Sequence, residues 1–193
     1  MKTLLSLVSF LALGVASTFA ATYSFTQAGG NIPDYWSGGT PSLTVNFTVS
    51  GLSDNVTKVT LSLNDFAGNA MSNCRVDLKA GSGPSLSLCD GVGPSNPNGT
   101  FVFDDSASTS IIAAVPSGGT YQPQTSLSGF SGLTPSQANV TWTIWAIAWN
   151  ADTSNHFASA TLEITTVPEP APTALLGLAG VFGFTLLRRR RDR

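Results

Sequence analysis

Residues 43–49, Leu-Thr-Val-Asn-Phe-Thr-Val, alternate apolar and polar along their whole length, the period-two signature of a strand with one buried face. Residues 56–63 repeat the pattern through Val56, Val59, Leu61 and Leu63, with a slip at Thr57-Lys58 that marks a bulge or the strand start. Residues 74–80 and 83–89 read as two strands around Gly81-Ser82, where Gly at the first central position suits a two-residue hairpin turn. In residues 141–149, Trp142, Ile144, Ala146 and Ala148 take one face and Trp145, Ile147 and Trp149 the other, so this strand belongs in the middle of a sheet. Shorter strands are predicted at 23–27, 101–103 and 157–165. The Gly- and Pro-rich residues 90–100 read as a loop. Residues 116–132 read as a second loop, packed onto the body by Tyr121, Leu127 and Phe130. No stretch between the two ends keeps a helical period long enough to compete. The predicted fold is all-β, an antiparallel, jelly-roll-like β-sandwich.

The ends of the chain break this pattern. Met1-Lys2, the apolar residues 4–15 and Thr18-Phe19-Ala20 read as a secretory signal peptide over residues 1–20. At the other end Val167-Pro168-Glu169-Pro170 precedes an uncharged run, residues 171–187, which ends in Arg188, Arg189, Arg190, Arg191, Asp192 and Arg193. The prolines predict a stiff, exposed spacer. Residues 171–187 sit near the lower end of the roughly 17–25 residues of a transmembrane helix, and the arginines form a basic stop on its cytoplasmic side. Those arginines argue against a glycolipid-anchor signal. An ordinary single-pass anchor accounts for the helix and the arginines, but it does not require Pro-Glu-Pro at the membrane boundary. Spacer, helix and basic stop over residues 167–193 together resemble the PEP-CTERM sorting signal. That resemblance implies that Val167, Pro168, Glu169 and Pro170 are recognised by a membrane-embedded exosortase, which releases or transfers the ectodomain. Residues 21–166 remain as one domain.

Charge in this domain is sparse: nine acids (Asp34, Asp54, Asp65, Asp77, Asp90, Asp104, Asp105, Asp152, Glu163) against three bases (Lys58, Arg75, Lys79). Such a surface has no footprint for nucleic acid. Ser, Thr, Asn and Gly cover it instead, a composition common in exported proteins that meet polysaccharide. Cys74 and Cys89 are the two cysteines. Counting outward from the turn sets them opposite each other, so a disulfide is expected in an oxidising compartment, worth about 3 kcal/mol on the chain-entropy model. His156 is the one histidine. It lies in the polar run 152–156 between strands, with no Gly-x-Ser-x-Gly and no His/Cys cluster, so no catalytic residue is assigned. Asp104-Asp105 at a strand end offers hard oxygens for calcium; alternatively Asp104 bonds local amides in a turn while Asp105 faces water. Tyr35, Trp36, Trp145 and Trp149 would stack on sugar rings if they line an open face, although core packing is favoured for the strand tryptophans. Asn46, Asn55, Asn98 and Asn139 each begin Asn-x-Thr and are read as ordinary strand and turn residues.

With the strands placed, residues 43–63, Phe103-Asp104-Asp105-Ser106, Gly119-Thr120-Tyr121-Gln122-Pro123, Ser126-Leu127-Ser128-Gly129-Phe130 and Val140-Thr141-Trp142 resemble the P domain, or homo B domain, of subtilisin-like proprotein convertases, over about residues 43–165. The resemblance implies a jelly-roll-like sandwich that supports a neighbouring protease and is not itself catalytic. Asn73 and Arg75 stand where that family carries acidic residues, which weakens any calcium site there. Three functions follow as expectations: a non-catalytic surface or matrix protein sorted by an exosortase, a carbohydrate- or calcium-dependent binding module, or an accessory domain to a separately encoded subtilisin-like protease.

Overall fold

A computed structural model of the chain describes residues 20–34, 42–150 and 154–167. The expected signal peptide up to residue 19, Pro168 to Pro170, the apolar run 171–187, the arginine stop, Tyr35 and Trp36 lie outside the described residues. Val167 is half-buried and follows the last strand. Among the described residues no helix is long and apolar enough to cross a membrane.

Nine strands, β1 (Ala21–Asn31), β2 (Leu43–Thr48), β3 (Val56–Ala67), β4 (Cys74–Ala80), β5 (Ser85–Asp90), β6 (Asn98–Phe103), β7 (Gly119–Tyr121), β8 (Thr141–Ala148) and β9 (His156–Thr166), account for most of the described chain, with one short α-helix at Pro135–Ala138. They build two sheets, ordered β1-β9-β3-β6-β7 and β2-β8-β4-β5. Pairing is nested: β1 with β9, β2 with β8, β3 with β6 and β4 with β5, as if one long hairpin had been rolled up. The strand expected in the middle of a sheet, β8, is indeed internal, flanked by β2 and β4. The slip expected at Thr57-Lys58 is a register shift between Val56 and Lys58 against β9.

Alternation sorts the core. Val45, Phe47, Leu61, Leu63, Val76, Leu78, Trp142, Ile144, Leu162 and Ile164 are buried between the sheets. Trp142 is fully enclosed; its Nε1 donates to the Ala138 carbonyl at 2.9 Å and its ring meets Phe130 at 4.8 Å between centroids. Tyr121, Leu127 and Phe130 are buried, so the long loop packs down as expected. Within it β7 adds a short parallel strand to β6, and the Gln124 and Thr125 amides bond the Leu88 and Ser87 carbonyls, covering the outer edge of β5.

The predicted disulfide is not present, and the hairpin register gives the reason. Cys74 and Cys89 are both buried free thiols. The turn is one residue longer than expected: Lys79 pairs with Ser85, whereas a two-residue turn at Gly81-Ser82 would set it opposite Pro84. A further shift between Val76 and Asp77 leaves Leu88 as the extra residue of a bulge, so Cys89 faces Val76. The bulge keeps Leu88 and Cys89, adjacent in sequence, both inside. Cys74 instead accepts at its carbonyl from the Gly91 amide, two residues beyond Cys89. The two residues are therefore diagonal across the ladder instead of directly opposite, which is where the expected pairing places them.

Burial pushes the Cys74 thiol up to about 12, partly offset by a hydrogen bond from Asn155, and raises Cys89 further, again chiefly by burial. Both thiols stay protonated when folded, while unfolded thiols ionise near pH ~8.5. Their raised values contribute stability below that pH, and the contribution is lost as pH climbs above it. The unfolding free energy should fall above about pH 9, less steeply in the Cys74→Ala/Cys89→Ala double variant. A slope identical in both proteins would contradict this, as would rapid reaction of the native thiols with a disulfide reagent.

Candidate functional site

Three places gather polar side chains. The first is the acidic pair at the end of β6. The Asp104 side chain is 15% exposed, pairs with Lys58 Nζ at 2.7 Å and accepts from the Ser106 amide and hydroxyl at 2.8 and 2.7 Å. Burial pushes its carboxyl up, but the bonds from Lys58 and Ser106 outweigh this and hold it below the usual range. Asp105 is half-buried and both its oxygens are engaged. Its Oδ1 accepts from the Leu127 amide at 2.9 Å, and its Oδ2 accepts from the Ser128 amide and the Ser126 hydroxyl, both at 2.7 Å. It thus caps the 3-10 turn Leu127–Phe130, which carries Leu127 and Phe130 into the core, the latter against Trp142.

The two carboxylates are engaged with protein donors, and among the described residues no group of three acidic, His or Cys side chains is placed to hold a metal. The oxygens of Asp104 and Asp105 brace a turn and a loop. Asp105→Ala, which strands the Leu127 amide and leaves the Ser128 amide only Ser126 Oγ at 3.2 Å, is expected to lower the unfolding free energy by about 2 kcal/mol in denaturant titration. The melting temperature should be the same in excess calcium and in chelator; a rise with calcium would contradict the assignment.

The second place surrounds His156. Its Nδ1 lies 3.2 Å from the carbonyl oxygen of Ser154, and the shallow cavity beside it, about 330 Å³, is lined by Asn31, Gly68, Ser154 and Asn155. Nothing in this set pairs the imidazole with a nucleophile. The residue of consequence is Asn155, which is buried. Its Nδ2 donates to the Ala70 carbonyl and to Cys74 Sγ, both at 2.9 Å, and its Oδ1 accepts from the Ala70 amide at 3.3 Å. It fastens the start of β9 to the segment before β4, a structural role.

The third place is the outer face of the four-stranded sheet. Register sets three rows across it: Ile147, Arg75 and Asp90; then Thr44, Trp145, Asp77 and Ser87; then Asn46, Thr143, Lys79 and Ser85. Trp145 does not enter the core; it is half-buried on this face, as Trp149 is half-buried just past the strand end. Arg75 lies over the Trp145 ring at 5.9 Å from its centroid. Its guanidinium is locked by Asp77, with Nε at 3.1 and 3.0 Å from the two carboxylate oxygens and a terminal nitrogen at 2.9 Å, and Asp90 stands 3.9 Å away. Asp77 is buried although it faces outward, which the fork of Arg75 makes tolerable. Arg75, Asp77 and Trp145, with Lys79, Gly81, Ser85 and Thr143, line a cleft of about 550 Å³. The signal for this site was in the sequence: Arg75, Asp77 and Lys79 alternate with Val76 and Leu78. The pairing of β4 with β8, which puts them beside Trp145, was not.

No protein family and no curated protein matches the chain. Among solved structures, FlhE is similar over 76% of this chain and 96% of its own, at 8% identity and a TM-score of 0.43. A serine protease of Aeromonas sobria is similar over 76% of this chain at 10% identity and a TM-score of 0.46. The complex of that protease with the chaperone ORF2 is similar over 78% at 8% identity and a TM-score of 0.42. The chain spans about a quarter of the protease, 27% in both structures.

Proposed function

We propose that the chain is an exported, non-catalytic module of a bacterial envelope or extracellular matrix, a jelly roll whose outer four-stranded face is its contact surface. The observation that carries this reading is the cleft at Trp145: a large aromatic kept half-open and braced by a fixed arginine, on a domain whose other polar clusters are spent on holding the fold. Isolated exposed aromatics are ordinary, but this one sits in a cleft among hydrogen-bonding groups that can orient a ligand. Export and sorting rest on the two ends of the sequence, with the exosortase as processing partner and exopolysaccharide as the destination.

The test uses the full chain expressed with an exosortase. The wild type should fractionate with the surface matrix and Trp145→Ala with the medium; equal distribution of the two defeats the reading. Mass spectrometry of the matrix form should place its new C-terminus near Pro168, Glu169 and Pro170 only when the exosortase is present. The P-domain reading of residues 43–165 makes the chain an accessory to a separately encoded protease. It draws support from the way its Phe103-Asp104-Asp105-Ser106 motif buttresses the sandwich, and co-purification of a protease with the wild type would favour it.

A further inference from the structure

We infer that the cleft on the outer face of the four-stranded sheet binds a neutral polysaccharide, one sugar ring lying on the indole of Trp145. The inference rests on the contact surface proposed above and names its ligand. The first ground is charge. The cleft is lined by Arg75, Lys79 and Asp77, with Asp90 beside it 3.9 Å from Arg75, so the face carries two cations and two carboxylates. Arg75, the cation fixed at the aromatic, is already committed to Asp77 on three contacts. A polyanion would find Lys79 as its one uncommitted cation and would have to compete with a buried carboxylate for the guanidinium.

The second ground is the pairing of surfaces. A sugar ring presents an apolar C–H face and a rim of hydroxyls. The cleft presents an aromatic plane flanked by short polar groups: the Ser85 hydroxyl, the Thr143 hydroxyl, which donates to Asn46 Oδ1 at 2.9 Å and keeps its lone pairs, and the Lys79 ammonium. Among the described residues Lys79 makes no ion pair. The third ground is size and shape. About 550 Å³ lies within the roughly 300–1,000 Å³ of small-molecule sites. The lining runs along β4 from Arg75 to Gly81, about 20 Å of strand, which suits a few consecutive rings of a chain better than one free sugar. Trp145 on this reading is a binding platform, and the Asp77–Arg75 fork positions it.

The experiment is affinity gel electrophoresis of the full chain in detergent, with hydroxyethylcellulose as the neutral probe and alginate as the charged one. The neutral probe should retard the wild type, with little change between low and physiological salt. Trp145→Ala should weaken the retardation about tenfold or more. Should Trp145→Ala lose its cooperative unfolding transition, Lys79→Ala and Ser85→Ala test the same rim from exposed positions and should weaken binding with the fold intact. Thr161→Ala, on the outer face of the other sheet, should match the wild type. Retardation by alginate alone, fading with salt, overturns the inference, as does a Trp145→Ala or Lys79→Ala/Ser85→Ala protein that binds like the wild type. If neither probe binds while Trp145→Ala still releases the chain from the matrix fraction, the sugar assignment fails and the contact surface stands. If the probe binds but matrix retention is unchanged, the cleft takes sugars and the proposed cellular role fails.

Discussion

Trp142→Ala is expected to lower the unfolding free energy by about 3–5 kcal/mol, the range of buried large-aromatic truncations. The indole is fully enclosed between the sheets, packed at 4.8 Å on Phe130 and anchored by its hydrogen bond to Ala138. Truncation removes the ring and leaves a cavity that the strands on either side of β8 cannot close. It also removes one of the two donors to the Ala138 carbonyl, which keeps the Val140 amide at 2.9 Å. Against a typical domain stability of about 5–15 kcal/mol, a loss of this size brings the protein close to unfolding. Trp142→Phe keeps most of the apolar area and loses the hydrogen bond, so its cost should be well under half as large in a denaturant titration. Equal costs for the two variants would show that the hydrogen bond, not the packing, is what matters there.

Asn155→Ala should cost about 3 kcal/mol although it removes a small polar side chain. Deleting the amide removes the acceptor of the Ala70 N–H, leaves the Ala70 carbonyl only the longer contacts from the Asn73 amide and the Cys74 thiol, and removes the donor to Cys74 Sγ. Gly68→Ala should be comparably damaging. A Cβ there would meet Asn155 Oδ1 and lie 2.6 Å from the Asn155 Cα, and Gly68 has φ +155, which side chains rarely adopt. The expected signature is a lower denaturation midpoint in each single variant and a pair effect short of their sum, because both disturb one joint. Full additivity would mean that the two residues act separately.

Much of this architecture was legible from alternation. The period-two runs at 43–49, 56–63, 141–149 and 157–165 correspond to β2, β3, β8 and β9, because a strand between core and solvent leaves its two-faced pattern in the sequence. What the pattern lacks is the partner of each strand. The longer turn after Ala80 and the bulge at Leu88 shift the hairpin by two positions and separate Cys74 from Cys89. The adjacent apolar residues Leu88-Cys89 are the trace of that bulge. Asp105 reads as solvent-facing in the sequence because its amide partners lie more than twenty residues on, in a loop that no periodicity describes. Trp145 falls in the expected strand, yet its proposed role depends on Arg75 and Asp77, brought alongside only by the β4–β8 ladder.

The most direct measurement is oxidative footprinting of the tryptophans in two settings, purified protein and intact surface matrix, read by peptide mass spectrometry. Trp142 should be protected in both until the protein unfolds. Trp145 should be oxidised in the purified protein and shielded in the matrix, where a ligand covers it. Trp145 oxidised to the same extent in both settings would mean that nothing sits on the face assigned here to recognition.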